Sequence, residues 1–344
     1  MAARNIEYIE LYARDKKSSV DYFVSSFGFI PVAESRQFDD ADEKESLLLC
    51  HGDVRVIVTT GTGTRAFLEA HGDGVADVAF ACDDPDATRA AAVAAGAAPA
   101  GPSRVKGFGA VCHTLVPCAS GNGPGLPSGR SWTASSPASA GGARAGERVQ
   151  SLDHVAICVE GGSLETYAGF YRAAFGLERY SGEYVDYGDQ AMDSIVVRDP
   201  SERITFTLVA PDPAKGAGQL DAFLDRNGGP GVQHLAFQVE DIVTAVTEFR
   251  AAGVEFLQTP DTYYDMLMTR LADLHEEIAS LRGVGVLADR DEWGHLFQIF
   301  SRSPYERNTM FYELIQRRGA RGFGSSNIRA LYEAVDRTGR LAAG

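Results

Sequence analysis

Two near-duplicate segments, LDHVAI at residues 152–157 and VQHLAF at residues 232–237, each place one histidine inside an apolar strand pattern. Each has a more distant counterpart in the first half of the chain, IEYIEL at residues 6–11 and VADVAF at residues 75–80. Because the apolar pattern of a strand recurs at all four places, the chain is predicted to use one module four times.

The four copies differ at one informative position. The second half has His154 and His234 there, whereas the first half has Tyr8 and Asp77. A role in folding alone does not require that change, so the difference indicates a functional site in the second half.

Each copy predicts a strand, then a helix, then further strands. In the third copy the helix covers residues 163–175 and ends at Gly176, and the first copy has the same glycine stop at Gly28. The second and fourth copies match each other over residues 83–96 and 240–254, each with an acidic helix start and a glycine at the end.

The repeat predicts an α+β chain of two domains, each built from paired βαβββ modules that form an open, barrel-like sheet. The first domain covers residues 1–118, a connection rich in Gly, Ser and Pro covers 119–150, and a second domain that carries both histidines covers 151–344. An amphipathic helix over residues 328–335 is expected to close the opening of the second sheet.

Composition excludes several classes of function. The chain has 344 residues and a net charge of −15, from 47 acidic and 32 basic residues, and it contains no basic run that could follow a phosphate backbone. It also lacks an apolar stretch of about 20 residues. We expect a cytoplasmic protein that binds neither nucleic acid nor membrane. The five scattered cysteines contain no C-x-x-C pair and are assigned no role.

His154 and His234 are predicted to meet in one cavity, because they occupy matching positions on the first strands of paired modules. Glu313 is the best candidate for a third ligand, since it interrupts an apolar strand where an unpaired carboxylate is costly to bury. Two imidazoles and one carboxylate are the ligand set of non-haem Fe(II) oxygenases. Any one of these residues alone would more often be structural, and the other histidines, with His295 in reserve, show no comparable pattern.

Several motifs identify a family. The segments 228–234, 259–264, 296–300, 313–317 and 322–324 resemble the 4-hydroxyphenylpyruvate dioxygenase family, which includes the dioxygenases themselves and the 4-hydroxymandelate synthases. The resemblance is weak before residue 119 and strong from residue 151 onward.

The resemblance implies the vicinal oxygen chelate fold and Fe(II) bound by His154, His234 and Glu313. It also implies that the substrate, 4-hydroxyphenylpyruvate, is itself the α-keto acid and binds iron through its carboxylate and keto oxygens. No separate 2-oxoglutarate is then required, and one coordination position stays open for O2.

Departures from the family pattern predict which product forms. The dioxygenases typically read Pro-x-Asn-Glu-Pro along one pocket strand, but this chain has Thr207 and Val209 in place of that proline and asparagine, and Tyr332 replaces a usual phenylalanine in the closing helix. All three differences fall where the substrate ring is expected, and an unpaired buried polar group costs about 1–3 kcal/mol, enough to shift the bound pose. We therefore expect benzylic hydroxylation to 4-hydroxymandelate, in a role that supplies hydroxyphenylglycine for peptide antibiotics.

Further substrate contacts are predicted at Ser194 and Gln298, with Phe323 packing against the substrate ring. Gln316 follows Glu313 by three residues and is predicted to point away from the site.

Three alternatives stay open at this point. The first is the dioxygenase that forms homogentisate in tyrosine breakdown, and the second is a metal-free protein that binds a small molecule. The third, an extradiol dioxygenase, needs a further histidine, for which only His275 or His295 is available. A homodimer is compatible with the sequence, which does not determine the oligomeric state.

Overall fold

A computed structural model describes residues 3–39, 42–118, 130–135, 148–324 and 326–327. Within these ranges the chain forms two mixed β-sheets with helices packed on them, which confirms the predicted α+β class. No helix in these ranges combines the length and the apolar character needed to cross a membrane.

The first sheet is formed by the first half of the chain and has the strand order β6-β7-β8-β5-β1-β4-β3-β2-β9. Its strands are β1 (Ala3–Tyr12), β2 (Ile30–Asp39), β3 (Asp42–His51), β4 (Val54–Thr60), β5 (Gly74–Cys82), β6 (Pro99–Gly101), β7 (Arg104–Lys106), β8 (Cys112–Pro117) and β9 (Thr133–Ala134).

The second sheet is formed by the second half and has the strand order β11-β12-β13-β10-β14-β17-β16-β15. Its strands are β10 (Val149–Cys158), β11 (Glu178–Tyr187), β12 (Gln190–Arg198), β13 (Thr205–Pro211), β14 (Gly231–Val239), β15 (Leu287–Arg290), β16 (His295–Phe300) and β17 (Phe311–Arg318).

Helices connect the strands and cover the sheets. In the described ranges they are α1 (Lys16–Asp21), α2 (Arg65–His71), α3 (Pro85–Ala94), α4 (Leu164–Phe175), α5 (Gln219–Asn227), α6 (Ile242–Ala251), α7 (Asp261–Arg270) and α8 (Ile278–Val284). A π-helical turn, Tyr22–Ser26, continues α1. The predicted glycine stops are present, since Gly176 ends α4 at φ 75° and Gly28 follows the π-helical turn at φ 73°.

The predicted repeat extends to irregularities of the strand pairing. The antiparallel pair β1–β5 shifts register at three places, after Ala3, Ile6 and Glu10. The pair β10–β14 shifts at the three corresponding places, the first after Val149 and the last after Ala156. Since β-bulges re-aim side chains, two sheets with the same bulges hold the same strand positions in the same orientation.

The described parts of the predicted connection, residues 119–150, form ordered structure. Residues 130–135 lie against the first sheet, where β9 pairs with β2, and β10 already begins at Val149. Arg130 from this segment forms a buried ion pair with Glu10 of β1. The two predicted boundaries between these segments stay a prediction.

The two halves meet through buried aromatic rings. Tyr312 of β17 lies with its ring centroid 5.5 Å from that of Phe23 and 5.4 Å from that of Phe27, both from the first half. On its other side it stacks on Phe237 of β14 at 5.8 Å. The first half therefore packs directly against the strand that carries Glu313.

Histidines add polar contacts between the halves. His113 of β8 is fully buried and contacts the carbonyl oxygen of Val78 at 2.8 Å and the hydroxyl of Tyr171 in α4 at 3.0 Å. His51 accepts a hydrogen bond from the backbone N–H of Val149. Both histidines thus help to hold the two halves together, and neither lies in the ligand set predicted from the sequence.

Candidate metal centre

Three side chains of the second sheet, His154, His234 and Glu313, converge on one point, and we call them the ligand set. The two imidazole Nε2 atoms are 3.3 Å apart, and Oε2 of Glu313 is 3.5 Å from that of His154 and 3.1 Å from that of His234. Adjacent positions around a six-coordinate ion with ligands at about 2.1 Å lie about 3 Å apart. The set therefore fits one metal ion, which would be accessible from the cavity that the three side chains line.

The register of the sheet brings the ligand set together. His154 and His234 lie on the antiparallel strands β10 and β14, while β17 runs parallel to β14 with Glu313 opposite Ala236. Because alternate residues of a strand face alternate sides, each ligand points to the same face of three adjacent strands.

The charges of the ligand set depend on one another. Burial by itself would lower the pKa of His154, but hydrogen bonds to Asp153 and Glu313 raise it to about 9. Burial would raise the pKa of Glu313, but the two histidines hold it below its usual range. Burial lowers the pKa of His234. Because a ligating imidazole must be deprotonated, we expect metal binding to weaken as pH falls.

Asp153 and Arg317 lie behind His154. The Nδ1–H group of His154 donates to Oδ1 of Asp153 at 2.8 Å, which leaves Nε2 directed at the other ligands. Both oxygens of Asp153 in turn accept hydrogen bonds from Arg317, at 2.7 and 2.8 Å. On the other side of the set, the ring of His234 stacks on that of Phe311 with centroids 4.9 Å apart.

The ligand set opens into a cavity of about 360 Å³ whose exposed wall is mostly apolar. Besides the ligands, the lining comprises Glu183, Tyr187, Met192, Ser194, Thr207, Val209, Gln219, Leu220, Gln233, Leu257, Leu287, Gln298, Phe300, Phe311 and Phe323. Such a volume suits a small aromatic molecule held by a few polar groups.

Five of the six residues predicted to bind substrate line this cavity, namely Ser194, Thr207, Val209, Gln298 and Phe323. Tyr332 and the predicted closing helix lie outside the described residues. The substrate roles of all six stay predictions.

The polar side chains of this group differ in how they are engaged. The hydroxyl of Ser194 donates to the carbonyl oxygen of Glu183 at 3.0 Å. Oε1 of Gln298 accepts from the amide of Asn327 at 3.2 Å, which ties it to the segment after β17. The buried Oγ1 of Thr207 has no hydrogen-bond partner in the described part of the chain. Thr207 therefore offers an unsatisfied polar atom to a ligand.

Three residues that the sequence analysis considered lie away from the cavity, and for Gln316 this confirms the prediction. Gln316 accepts a hydrogen bond from the backbone N–H of Ile242 at 3.1 Å, at the start of α6. His295, which the sequence kept in reserve as a candidate, lies with Nε2 2.8 Å from a carboxylate oxygen of Asp273, and neither it nor His275 lines the cavity.

Other residues of the site were not predicted. Asp153 adjoins His154 inside the repeated segment, and Arg317 ends the motif that begins at Glu313. Both residues therefore belong to motifs of the sequence analysis, which predicted no role for them. Gln233 likewise precedes His234. The hydrophobic periodicity of the sequence does not indicate four further lining residues, because their orientation depends on tertiary packing. These are Phe300, Phe311 and, in α5, Gln219 and Leu220.

Comparison with known proteins agrees with this geometry. The model of the Glyoxalase/Bleomycin resistance protein/Dioxygenase superfamily matches residues 151–299. A probable 4-hydroxyphenylpyruvate dioxygenase 2 of Aspergillus fumigatus is 32% identical over 96% of this chain and 92% of its own length. A second 4-hydroxyphenylpyruvate dioxygenase of the same organism is 29% identical over 97% of this chain and 92% of its own length.

Among solved structures, a triple mutant of 4-hydroxymandelate synthase from Streptomyces coelicolor is similar over nearly the whole chain. It is 47% identical with a TM-score of 0.85, and the match covers 98% of this chain and 99% of that one. The resemblance predicted from the motifs is thereby confirmed, together with the vicinal oxygen chelate fold. The chain belongs to the 4-hydroxyphenylpyruvate dioxygenase family.

Proposed function

We propose that the protein is an Fe(II)-dependent oxygenase that converts 4-hydroxyphenylpyruvate and O2 to 4-hydroxymandelate and CO2. The observation that carries the proposal is the ligand set at the base of a mostly apolar cavity of about 360 Å³. The likeness to 4-hydroxymandelate synthase, at 47% identity, supports the choice of substrate and product.

Fe(II) held by His154, His234 and Glu313 would supply the redox chemistry that joins O2 activation to decarboxylation of the α-keto acid. The remaining work is done by the chain. Glu313 and the two imidazoles line the cavity, so the carboxylate and keto oxygens of the substrate could reach an ion held by them from the cavity side. Phe311 and Phe323 are apolar walls beside the ligands and limit the access of water.

The far wall of the cavity determines how the ring lies. Thr207 and Val209 point into it from β13, and Ser194 points into it from the adjacent strand β12. The unpaired hydroxyl of Thr207 is a partner for the phenol group of the substrate. Val209 offers no polar contact where the dioxygenases typically have an amide. We propose that this pattern holds the ring so that the benzylic carbon, rather than the ring, is closest to the metal.

Product analysis tests the proposal. Iron-loaded protein incubated with 4-hydroxyphenylpyruvate in air should give 4-hydroxymandelate as the main product by chromatography. Homogentisate as the main product would assign the protein to the dioxygenases instead. The double variant Thr207→Pro with Val209→Asn restores the dioxygenase pattern and should form some homogentisate, and an unchanged product ratio would contradict the proposed role of β13.

Metal analysis separates the oxygenase from a metal-free binding protein. Protein purified without air should bind Fe(II) tightly, and the variant His234→Ala should not. Equal binding by both would remove the ligand set from the proposal. Four further expectations from the sequence stay predictions. They are a cytoplasmic location, a homodimer, the absence of nucleic acid or membrane partners, and a role in hydroxyphenylglycine supply.

A further inference from the structure

Arg317 lies four residues after Glu313 on β17, and its guanidinium contacts two separate parts of the site. Its Nε and Nη2 groups donate to the two oxygens of Asp153, at 2.7 and 2.8 Å. Its Nη1 group donates to the carbonyl oxygens of Gly322, at 2.7 Å, and Ala320, at 3.3 Å. A planar, rigid group that makes hydrogen bonds along two edges fixes the relative position of its partners.

One partner controls a metal ligand. Asp153 lies on β10, is nearly buried, and accepts the Nδ1–H hydrogen bond of His154. A carboxylate behind a ligating imidazole fixes the ring orientation and the tautomer. Arg317 is the cation that pairs with this carboxylate, so the orientation of His154 depends on a residue of β17.

The other partner controls a wall of the cavity. Gly322 precedes Phe323, whose ring centroid lies 5.3 Å from that of His154 in an edge-to-face arrangement. The guanidinium carbon of Arg317 lies 5.0 Å from the centroid of the same ring. Oδ2 of Asp291 holds the segment from the outside by accepting the backbone N–H groups of Arg321 and Gly322, at 2.6 and 2.8 Å.

We propose that Arg317 is a positioning residue that couples metal binding by His154 to the placement of Phe323 over the cavity. This inference rests on the proposed metal-dependent function. Arg317 does not line the cavity, so it acts through Asp153 and through the segment of residues 319–324. Because coupling between two sites is reciprocal, metal binding should order this segment, and a well-placed segment should strengthen metal binding.

The test uses the full chain, freed of metal and titrated with Zn²⁺, which carries no redox chemistry. Competition with a chromophoric chelator measures affinity, and hydrogen exchange with mass spectrometry follows residues 319–324 with and without saturating Zn²⁺. In the unmodified protein Zn²⁺ should slow exchange in this segment. In Arg317→Met the affinity should fall by about 10- to 100-fold, and saturating Zn²⁺ should no longer slow exchange there.

Asp291→Asn is the matched control. Oδ1 of Asp291 accepts from the backbone of Trp293 and Gly294, which the asparagine oxygen can still do, but the new amide cannot accept from the segment. This variant should exchange faster in residues 319–324 with and without Zn²⁺ while Zn²⁺ still slows that exchange. Its affinity for Zn²⁺ should fall less than that of Arg317→Met, because the contact between Arg317 and Asp153 remains.

The outcomes separate the two proposals. Two results in Arg317→Met would overturn the coupling: unchanged Zn²⁺ affinity, or hydrogen exchange that Zn²⁺ slows as much as in the unmodified chain. The proposed function would still stand if the protein forms 4-hydroxymandelate. Failure of the unmodified chain to bind Zn²⁺ or Fe(II) overturns both. Should Arg317→Met not fold, Arg317→Lys keeps the charge without the planar fork and should show the same changes at smaller size.

Discussion

The two sheets arrange equivalent strands around equivalent positions, yet they neutralise the buried acidic groups at these positions in different ways. In the register of the first sheet, Tyr8, Asp77 and Thr114 occupy the three positions that hold the ligand set in the second. Asp77 is fully buried and accepts hydrogen bonds from Arg104, at 2.7 Å, and from the Thr114 hydroxyl, at 2.8 Å. Thus an acidic group remains at this place in both sheets.

The source of positive charge is what differs. In the first sheet the guanidinium groups of Arg104 and Arg130 pair with Asp77 and Glu10, so the protein itself supplies the cations. In the described part of the chain no Lys or Arg forms an ion pair with Glu313. The comparison indicates that one architecture can be completed from within by arginine or, as we propose for the second sheet, from outside by a metal ion.

The largest effect is expected from removal of a proposed metal ligand of the second sheet. His234→Ala removes one of the three proposed ligands. Loss of a residue that only hydrogen-bonds to a ligand lowers metal affinity by up to about 100-fold, so loss of a ligand should lower it by more. Product formation should stop. Metal analysis and chromatography of the product measure both. Retained product formation would show that His234 is not a ligand.

A change in the first sheet should affect stability instead. Asp77→Ala leaves Arg104 without its buried partner and should lower the free energy of unfolding by about 3 kcal/mol. Urea unfolding measures the loss, and Zn²⁺ affinity of the folded variant should match that of the unmodified chain. Weaker metal binding in this variant would mean that the two sheets do not have separate roles.

The contact between the halves should respond to acid through His113. Burial lowers the pKa of His113 to about 4, although the Val78 carbonyl opposes this shift. The unfolded chain, with a histidine pKa of about 6.5, takes up the proton first, so stability is lost as pH falls from about 6.5 toward 4, by up to about 3 kcal/mol. Unfolding followed at several pH values should show a shallower dependence in His113→Gln, and equal slopes would contradict this assignment.

The smallest expected effect concerns a single hydroxyl. Thr207 corresponds to the apolar Ile57 of the first sheet, and the isosteric variant Thr207→Val extends that likeness. Removal of the unpaired hydroxyl should leave stability within about 0.5 kcal/mol and raise the KM for 4-hydroxyphenylpyruvate by about 2- to 10-fold. Steady-state kinetics would detect this rise, and an unchanged KM would exclude the contact with the phenol.

The repeat and the convergence of the three proposed ligands could be predicted from the sequence for physical reasons. A strand with one buried face has a period of two, which fixes the side on which His154 and His234 point. The carboxylate of Glu313 is conspicuous in its apolar strand because its burial is costly without a partner. The same alternation placed Gln316 on the opposite face, where it contacts the start of α6.

What could not be predicted depends on contacts between distant residues. Arg317 and Asp153 are separated by 164 positions, and their hydrogen bonds depend on the bulged register of β10 with β14 and on the pairing of β14 with β17, which periodicity does not reveal. The helices α5, α7 and α8 were also not foreseen, nor was the packing of residues 130–135 on the first sheet, since their place is set by tertiary contacts.

The strand β17 presents Glu313 to the cavity and the preceding Tyr312 to Phe23 and Phe27 of the first half. The first half contributes none of the three proposed ligands, yet its phenylalanines support the strand that carries one of them. Here substitutions of those phenylalanines would shift the strand and hence the carboxylate on its other side. A mutation in the first half that alters this aromatic packing can therefore impair the proposed metal centre without touching any of its ligands.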